Sequence, residues 1–393
     1  MIPRLCPPIR LSDLPRAFLP AQPVACFEHA FAVLAGTKHA IAFPYGRTAL
    51  ICLLEALGIA DKEVICPSYT CVVVPHAIVH SRNTPVFVDC APDSFLMDMA
   101  LARDAVSAQT GAVIATSFFG EPVSLDALAS FGRMHPNVAI IQDCAHSFFC
   151  EDNGRPVHKY GIAAIYGLNV SKLITSVFGG MVTTDDDALA ARLYAVRASR
   201  VASATLGKSV ARRLYLIASR IALSRMGYGT VKAMTALGLM DRFVRYYEDS
   251  KIDMPPDYLQ GLTGFEAMVG TWQCGRYHDV VAHRRRLADL YHAGLKDCDH
   301  LILPAPNPGH TWSHYTLRTQ YASAYIQSLA TQGVELGHML EYFIPGMPVY
   351  QSARHLDRGV ARGYIGHTVN LPVHLFVGTD DAERIAGAMR RMP

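Results

Sequence analysis

The chain has 393 residues, 51% of them hydrophobic and 18% charged, a balance that excludes disorder and exceeds what one simple core holds, so two domains are expected. A net charge of +3, from 36 basic and 33 acidic residues, gives no electrostatic case for a nucleic-acid partner. No stretch reaches about 18 uninterrupted apolar residues and the proline-rich start lacks the apolar core of a signal peptide, which argues against a transmembrane span and for a cytoplasmic protein.

Residues 1–24 read as an extended arm, because Pro3, Pro7, Pro8, Pro15, Pro20 and Pro23 deny it helices of any length. Residues 41–44 form a strand that ends in the turn Tyr45-Gly46-Arg47. A helix follows over 48–57, with Leu50, Leu53, Leu54 and Leu57 spaced to bury one face. A glycine turn that opens a helix leaves backbone N–H groups free to receive a phosphate. Arg47 and Thr48 stand at that point; Arg47 can add a charged fork to a phosphate or a substrate carboxylate, or be a surface cation. Strands at 63–66, 85–89, 112–116 and 138–141 alternate with helical stretches, the pattern of an α/β fold with a mostly parallel sheet. Ligands in such sheets bind at the carboxyl ends of the strands. Ten cysteines lie singly, several in apolar runs (Cys52, Cys66, Cys90), so buried free thiols and no metal centre are expected.

The run 162–166 leads into Asn169, Ser171 and Lys172, and after the Gly179-Gly180 pair a second strand-like run begins. Lys172 therefore sits in a turn between apolar segments, where its amine is held near the neutral form. Asp143 ends a strand 29 positions earlier and can meet it across the sheet. Taken singly, a lysine is a solvated cation and an aspartate after a strand is a cap. Together they are what a pyridoxal phosphate enzyme needs: an amine to hold the cofactor and an acid for its pyridinium nitrogen.

Section 199–255 is the least readable. Its stretch 211–240, rich in Ala, Leu and Ile with Arg212, Arg213, Arg220 and Arg225, reads as one or two amphipathic helices packed on the protein or a partner subunit. Peripheral membrane contact is the less favoured alternative. A single long helix is expected over 262–296, with residues 283–286 on a solvated face. Strands near 315–320, 333–336 and 369–374 and helices over 322–332 and after Thr379 complete a smaller α+β unit. The expected division is an arm (1–24), a large domain (25–260) and a small C-terminal domain (261–393). His310, His314, His338 and His374 have no spacing that identifies a ligand.

The block Gln142-Asp143-Cys144-Ala145-His146, the Lys172 turn with its Gly-Gly pair, and the order of segments from about 31 to 392 resemble one family. It is the DegT/DnrJ/EryC1/StrS aminotransferases, the sugar branch of the fold type I (aspartate aminotransferase-like) enzymes. The resemblance implies pyridoxal 5′-phosphate held by Lys172, Asp143 on its ring nitrogen, Ala145 under the ring, His146 beside the phenolic oxygen, and the Thr48 turn on the phosphate. It also implies a homodimer that moves an amino group from an amino acid, glutamate in the family, to a nucleotide-linked keto-sugar. The chain departs from the pattern at four places. Arg47 replaces a small hydroxyl residue, and Cys71 replaces an aromatic ring, with Tyr69 as the candidate substitute. Gly167 replaces a phosphate-binding serine, with Asn169 or Ser171 as substitutes. A phosphate-binding asparagine is missing, and Gln260 is the nearest amide. Dehydratase relatives carry histidine in place of the lysine, so Lys172 argues against that branch. An aminotransferase for a non-sugar ketone, such as a lipid or natural-product intermediate, and a non-catalytic regulatory relative stay open.

Overall fold

The computed structural model describes residues 1–237 and 248–392. The strands in chain order are β1 (His39–Phe43), β2 (Glu63–Pro67), β3 (Thr84–Val88), β4 (Thr110–Thr116), β5 (Ala139–Asp143) and the short hairpin β6 (Glu151–Asp152) and β7 (Arg155–Pro156). They continue with β8 (Ala163–Gly167), β9 (Gly180–Thr184), β10 (Tyr315–Arg318), β11 (His355–Leu356) and β12 (Thr368–Leu371). Among the described residues eight strands form one sheet in the order β1-β9-β8-β5-β4-β2-β3-β11. Only β9 runs against its neighbours; the other pairings are parallel. The centre of the sheet is made of continuous apolar runs such as Val64-Ile65-Cys66 and Ala112-Val113-Ile114, buried to solvent because helices cover both faces. This is the α/β architecture with a mostly parallel sheet expected from the strand–helix alternation.

Helix α1 (Val24–Ala35) packs on one face, and helix α2 (Gly46–Ala56) on the other. Helix α2 starts two residues before the expected position, at the glycine itself. A second core gathers Leu287, Tyr291, Tyr315, Tyr325, Val369 and Ile385 around the two-stranded sheet β10-β12. Ile2 belongs to that second core, whereas Leu262, Ala267 and Tyr277 belong to the first. Core membership thus passes from one unit to the other within the helix Tyr277–Leu295.

Several expectations are corrected. The arm contains a 3-10 helix, Leu11–Phe18, despite Pro15. Asp13 accepts from the Arg10 N–H at 2.9 Å and pairs with Arg276 at 2.7 Å, which fixes its first turn. The arm lies on its own chain: Ile2 bridges to Val334, Gln273 donates to the Pro8 carbonyl at 3.2 Å and Arg220 to that of Ile9 at 2.5 Å. The long helix is broken at Gly275-Arg276 into Gly264–Cys274 and Tyr277–Leu295, where Arg276 turns to Asp13. Arg284 is not on a solvated face: it is 3% exposed and donates to the carbonyls of Trp312 and Ser313. Val334 makes a single bridge and residues 333–336 form no strand.

In section 199–255, residues 238–247 lie outside those described. The described part gives the helices Leu206–Ala222 and Tyr228–Ala236. Among the described residues the arginines of this stretch are tied to other parts of the chain, although the Arg225 side chain stays 46% exposed. Arg212 pairs with Asp257 at 2.5 Å, Arg213 bonds the Ala17 carbonyl, Arg220 holds Ile9, and Arg225 pairs with Asp381. The outer side carries Leu206, Val210, Leu214 and Ile221. Among the described residues no helix is long and apolar enough to cross a membrane.

Candidate active site

The carboxyl ends of β4, β5 and β8 open into a cavity of about 1410 Å³. Thr116 and Asp143 are register partners at the ends of β4 and β5, so the topology places the acid at the cavity floor. Asp143 is 4% exposed and accepts from the Ala145 N–H at 3.0 Å. Burial pushes its carboxyl above the ordinary range, while the Ala145 N–H and the Lys172 amine pull it back.

Lys172 rides on the loop that joins β8 to β9. The loop is closed on itself: Leu168 N–H donates to the Gly179 carbonyl at 2.9 Å, and Ser176 N–H donates to that of Leu168 at 3.0 Å. Buried Leu173 and Ile174 anchor it. Lys172 N–H donates to the Asn169 carbonyl at 3.1 Å, and the side chain turns into the cavity. Burial pushes the amine down to about 8, with Cys71 and Asp143 opposing. A Cβ at Gly167 would lie 3.7 Å from Lys172 Cε and 3.6 Å from Ala145 Cβ, so the glycine keeps the space between them open.

The start of α2 forms the next wall. A side chain at Gly180 would collide with the Tyr45 carbonyl and the Gly46 amide, so only glycine lets the helix N-terminus press against the end of β9. Tyr45, Gly46 and Arg47 line the cavity. Thr48 does not: it is fully buried and its hydroxyl donates to the Tyr258 carbonyl at 2.8 Å. This turn therefore offers an anion backbone N–H groups and Arg47, whose Nη1 donates to the Asp253 carbonyl at 3.3 Å. Asn169 lines the cavity, with its Oδ1 accepting from Ser171 N–H at 3.0 Å and the Ser171 hydroxyl at 2.7 Å.

His146 stacks between Phe118 (4.7 Å between ring centroids) and His314 (5.0 Å). Burial, then Lys172 and His314, hold it well below its usual range, so it is neutral. Its Nδ1 and the Thr70 hydroxyl are buried without a partner at the cavity wall. Cys71 lines the cavity, whereas Tyr69 is 1% exposed in an aromatic cluster with Phe95 and Phe118 and is not its substitute. Gln260 points no amide here; its backbone carbonyl takes the Lys208 amine at 2.6 Å. Of the histidines without a telling spacing, His314 and His338 line the cavity. His310 is stacked on Trp312 and His374 Nε2 is 2.9 Å from the Pro3 carbonyl, both away from it.

A network that sequence reasoning missed ties section 199–255 to this wall. Tyr45 donates to Asp257 at 2.6 Å and accepts from Arg212 at 2.8 Å, and Lys208 pairs with Asp257 at 3.4 Å. Residues of the poorly readable helix thus fix the residue that opens α2.

A buried acid, a depressed amine with Gly167 beside it, a helix N-terminus and unpartnered polar atoms at the wall fit a phosphorylated pyridine aldehyde. The comparisons agree. The DegT/DnrJ/EryC1/StrS aminotransferase family model matches residues 18–390. Spore coat polysaccharide biosynthesis protein SpsC of Bacillus subtilis (strain 168) is 26% identical over 384 residues, 93% of this chain and 88% of that protein. GDP-perosamine synthase of Caulobacter vibrioides is 36% identical over 172 residues, 44% of this chain and 46% of that one. The crystal structure of DesI in the presence of its TDP-sugar product shares the fold, with a TM-score of 0.76 at 21% identity over 99% of this chain and 92% of that one. The chain belongs to the DegT/DnrJ/EryC1/StrS aminotransferase family and is a pyridoxal 5′-phosphate-dependent aminotransferase.

Proposed function

We propose that the enzyme takes an amino group from glutamate and delivers it to the keto group of a nucleotide-linked sugar, as a cytoplasmic homodimer. The observation that carries this reading is the size of the cavity. About 1410 Å³ exceeds the ~300–1,000 Å³ of ordinary small-molecule pockets, which accords with a cavity that takes the cofactor together with a substrate larger than an amino acid. The names of the relatives, a polysaccharide biosynthesis protein and a GDP-perosamine synthase, point the same way. The apolar residues Leu206, Val210, Leu214 and Ile221, exposed along one helix, are a face that a second subunit would cover.

When bound, pyridoxal 5′-phosphate supplies an electron sink and a carrier for the amino group. The chain supplies the rest. Lys172 Nζ would hold the cofactor, and its amine would take the proton from the donor carbon as base and give it back as acid. The Asp143 carboxylate holds the proton on the ring nitrogen. Ala145 and the neutral His146 ring keep water from the reacting face, and the α2 N-terminus with Arg47 and Asn169 receives the phosphate.

The function is tested by mixing the holoenzyme with glutamate and following the loss of its visible absorbance, then adding a panel of nucleotide keto-sugars, cyclitol ketones and acyl ketones. Recovery of absorbance with a keto-sugar is expected. Recovery only with another ketone moves the substrate, and a failure to respond to any amino acid removes the enzymatic reading for a regulatory one. Light scattering on the same sample is expected to give a dimer; a fully active monomer at nanomolar concentration overturns the assembly.

Arg47→Ala is expected to weaken retention of pyridoxal 5′-phosphate by about 1.5–3 kcal/mol, the worth of a charged hydrogen bond. Equilibrium dialysis reads this. Unchanged retention with a raised KM for one substrate assigns Arg47 to that substrate, and no change in either removes it from the site.

A further inference from the structure

The cavity has a second cationic wall, and it comes from the far end of the sequence. Arg4 and Leu5 of the arm line the same cavity as Asp143, His146 and Lys172. The arm is pinned just before Arg4 and at Arg4 itself: Ile2 bridges to Val334, and the Arg4 N–H donates to Glu335 at 3.1 Å. The guanidinium lies across Gly337, where any side chain would collide with it, and Nη1 donates to the His338 carbonyl at 2.9 Å. It has no carboxylate partner among the described residues. Gly337 bridges to Asn370 of β12, so Asn370 is the register partner of the residue that the guanidinium crosses. Asn370 is 1% exposed, lines the same cavity, and its Oδ1 is buried without a partner. Arg4 also acts electrostatically on His314, the ring stacked on His146 beside Lys172.

We propose that Arg4 and Asn370 form the seat for a carboxylate of the amino-acid donor, which makes the N-terminal arm a part of the active site. The proposal rests on the reading that this cavity takes an amino-acid donor. A planar guanidinium forks onto a carboxylate through two parallel N–H bonds, and an amide offers such a ligand its NH2 end. Both groups are held in place before the ligand arrives, Arg4 by the Gly337 gap and Asn370 by the strand. Arg47 stands at the α2 wall with the phosphate-binding N–H groups, so the two arginines divide the anions between them.

The test is single-turnover kinetics on the full-length holoenzyme, with glutamate as the donor probe, for the unaltered protein, Arg4→Gln, Arg4→Lys and Asn370→Ala. Arg4→Gln is expected to raise the half-saturating glutamate concentration about 10- to 100-fold, the range for a lost charged hydrogen bond, with the limiting rate within about twofold. Arg4→Lys is expected in between, because it keeps the charge without the fork. The KM for the keto acceptor is expected to stay unchanged. Unchanged glutamate saturation in Arg4→Gln overturns the proposal. A rise in acceptor KM instead overturns it too, since it assigns Arg4 to a phosphate or other anion of the acceptor. If Arg4→Gln fails to fold, Asn370→Ala decides: saturation shifted at an unchanged limiting rate supports the seat, and equal loss in both reads as structural damage and sinks it. An unaltered enzyme that accepts no amino acid sinks the proposed function itself, a result distinct from a variant that behaves like its parent.

Discussion

Replacing Lys172 by alanine is expected to cut turnover by about four orders of magnitude while leaving the fold intact. The size follows from losing the group that moves the proton, worth up to about 10⁴-fold, together with the covalent hold on the cofactor. The fold should survive because the loop is closed by its own backbone bonds and by Leu173 and Ile174, not by the lysine side chain. Borohydride reduction of the unaltered holoenzyme followed by peptide mapping should find the pyridoxyl group on Lys172; a label on another lysine removes the assignment. The position also sets a pH dependence. Lys172 is pushed down to about 8, so its neutral fraction grows as pH rises toward and past that value, instead of toward 10.5 for an exposed lysine. Uptake of pyridoxal 5′-phosphate by the apoprotein, which needs the neutral amine, should therefore speed up with pH and level off above about 8. A rate that still climbs through pH 10 would mean that the amine is solvated.

How much of this was legible depended on sequence distance. Asp143, Ala145, His146 and Lys172 follow the ends of two strands that are neighbours in the sheet, β5 and β8; local pattern pointed to Asp143 and Lys172, and the family resemblance added Ala145 and His146. The strand–helix alternation likewise carried the sheet, since buried parallel strands announce themselves as apolar runs. What stayed hidden was supplied by tertiary contact. Arg4, His314 and Asn370 reach the cavity from both ends of the chain, and none has a local signal. Arg284 sits among arginines and histidines that read as a solvated face, yet two carbonyls of the 312–313 turn draw it inside. Thr48 has the right position and the wrong direction, because the Tyr258 carbonyl, far along the chain, claims its hydroxyl. Arg212 reads as part of a basic helix until Tyr45 and Asp257 are placed beside it. Patterns of 2 and 3.6 residues report which elements form; they carry no information on which buried polar group meets which.

Asp143→Asn is expected to cost on the order of a thousandfold in turnover, about 4 kcal/mol of transition-state stabilisation. The asparagine keeps the shape of the side chain, and its Oδ1 can still accept from the Ala145 N–H that now bonds Asp143 at 3.0 Å. What it cannot do is hold a proton on the ring nitrogen by charge, and an unprotonated ring withdraws far fewer electrons from the substrate carbon. A purely structural role for Asp143 predicts a different pattern, which the apoprotein separates. Its carboxyl lies above the ordinary range because burial opposes the charged form. A group raised in the folded state contributes stability below its unfolded value near 3.8, and that contribution is lost as pH rises through the folded value. The asparagine has no such loss, so the melting temperature of the variant apoprotein should gain on that of the parent as pH rises from about 4 toward neutrality. A variant that is at least as stable as its parent at pH 7 and yet a thousandfold slower places Asp143 in the chemistry. Near-normal turnover with every donor would show that some other group serves the ring nitrogen.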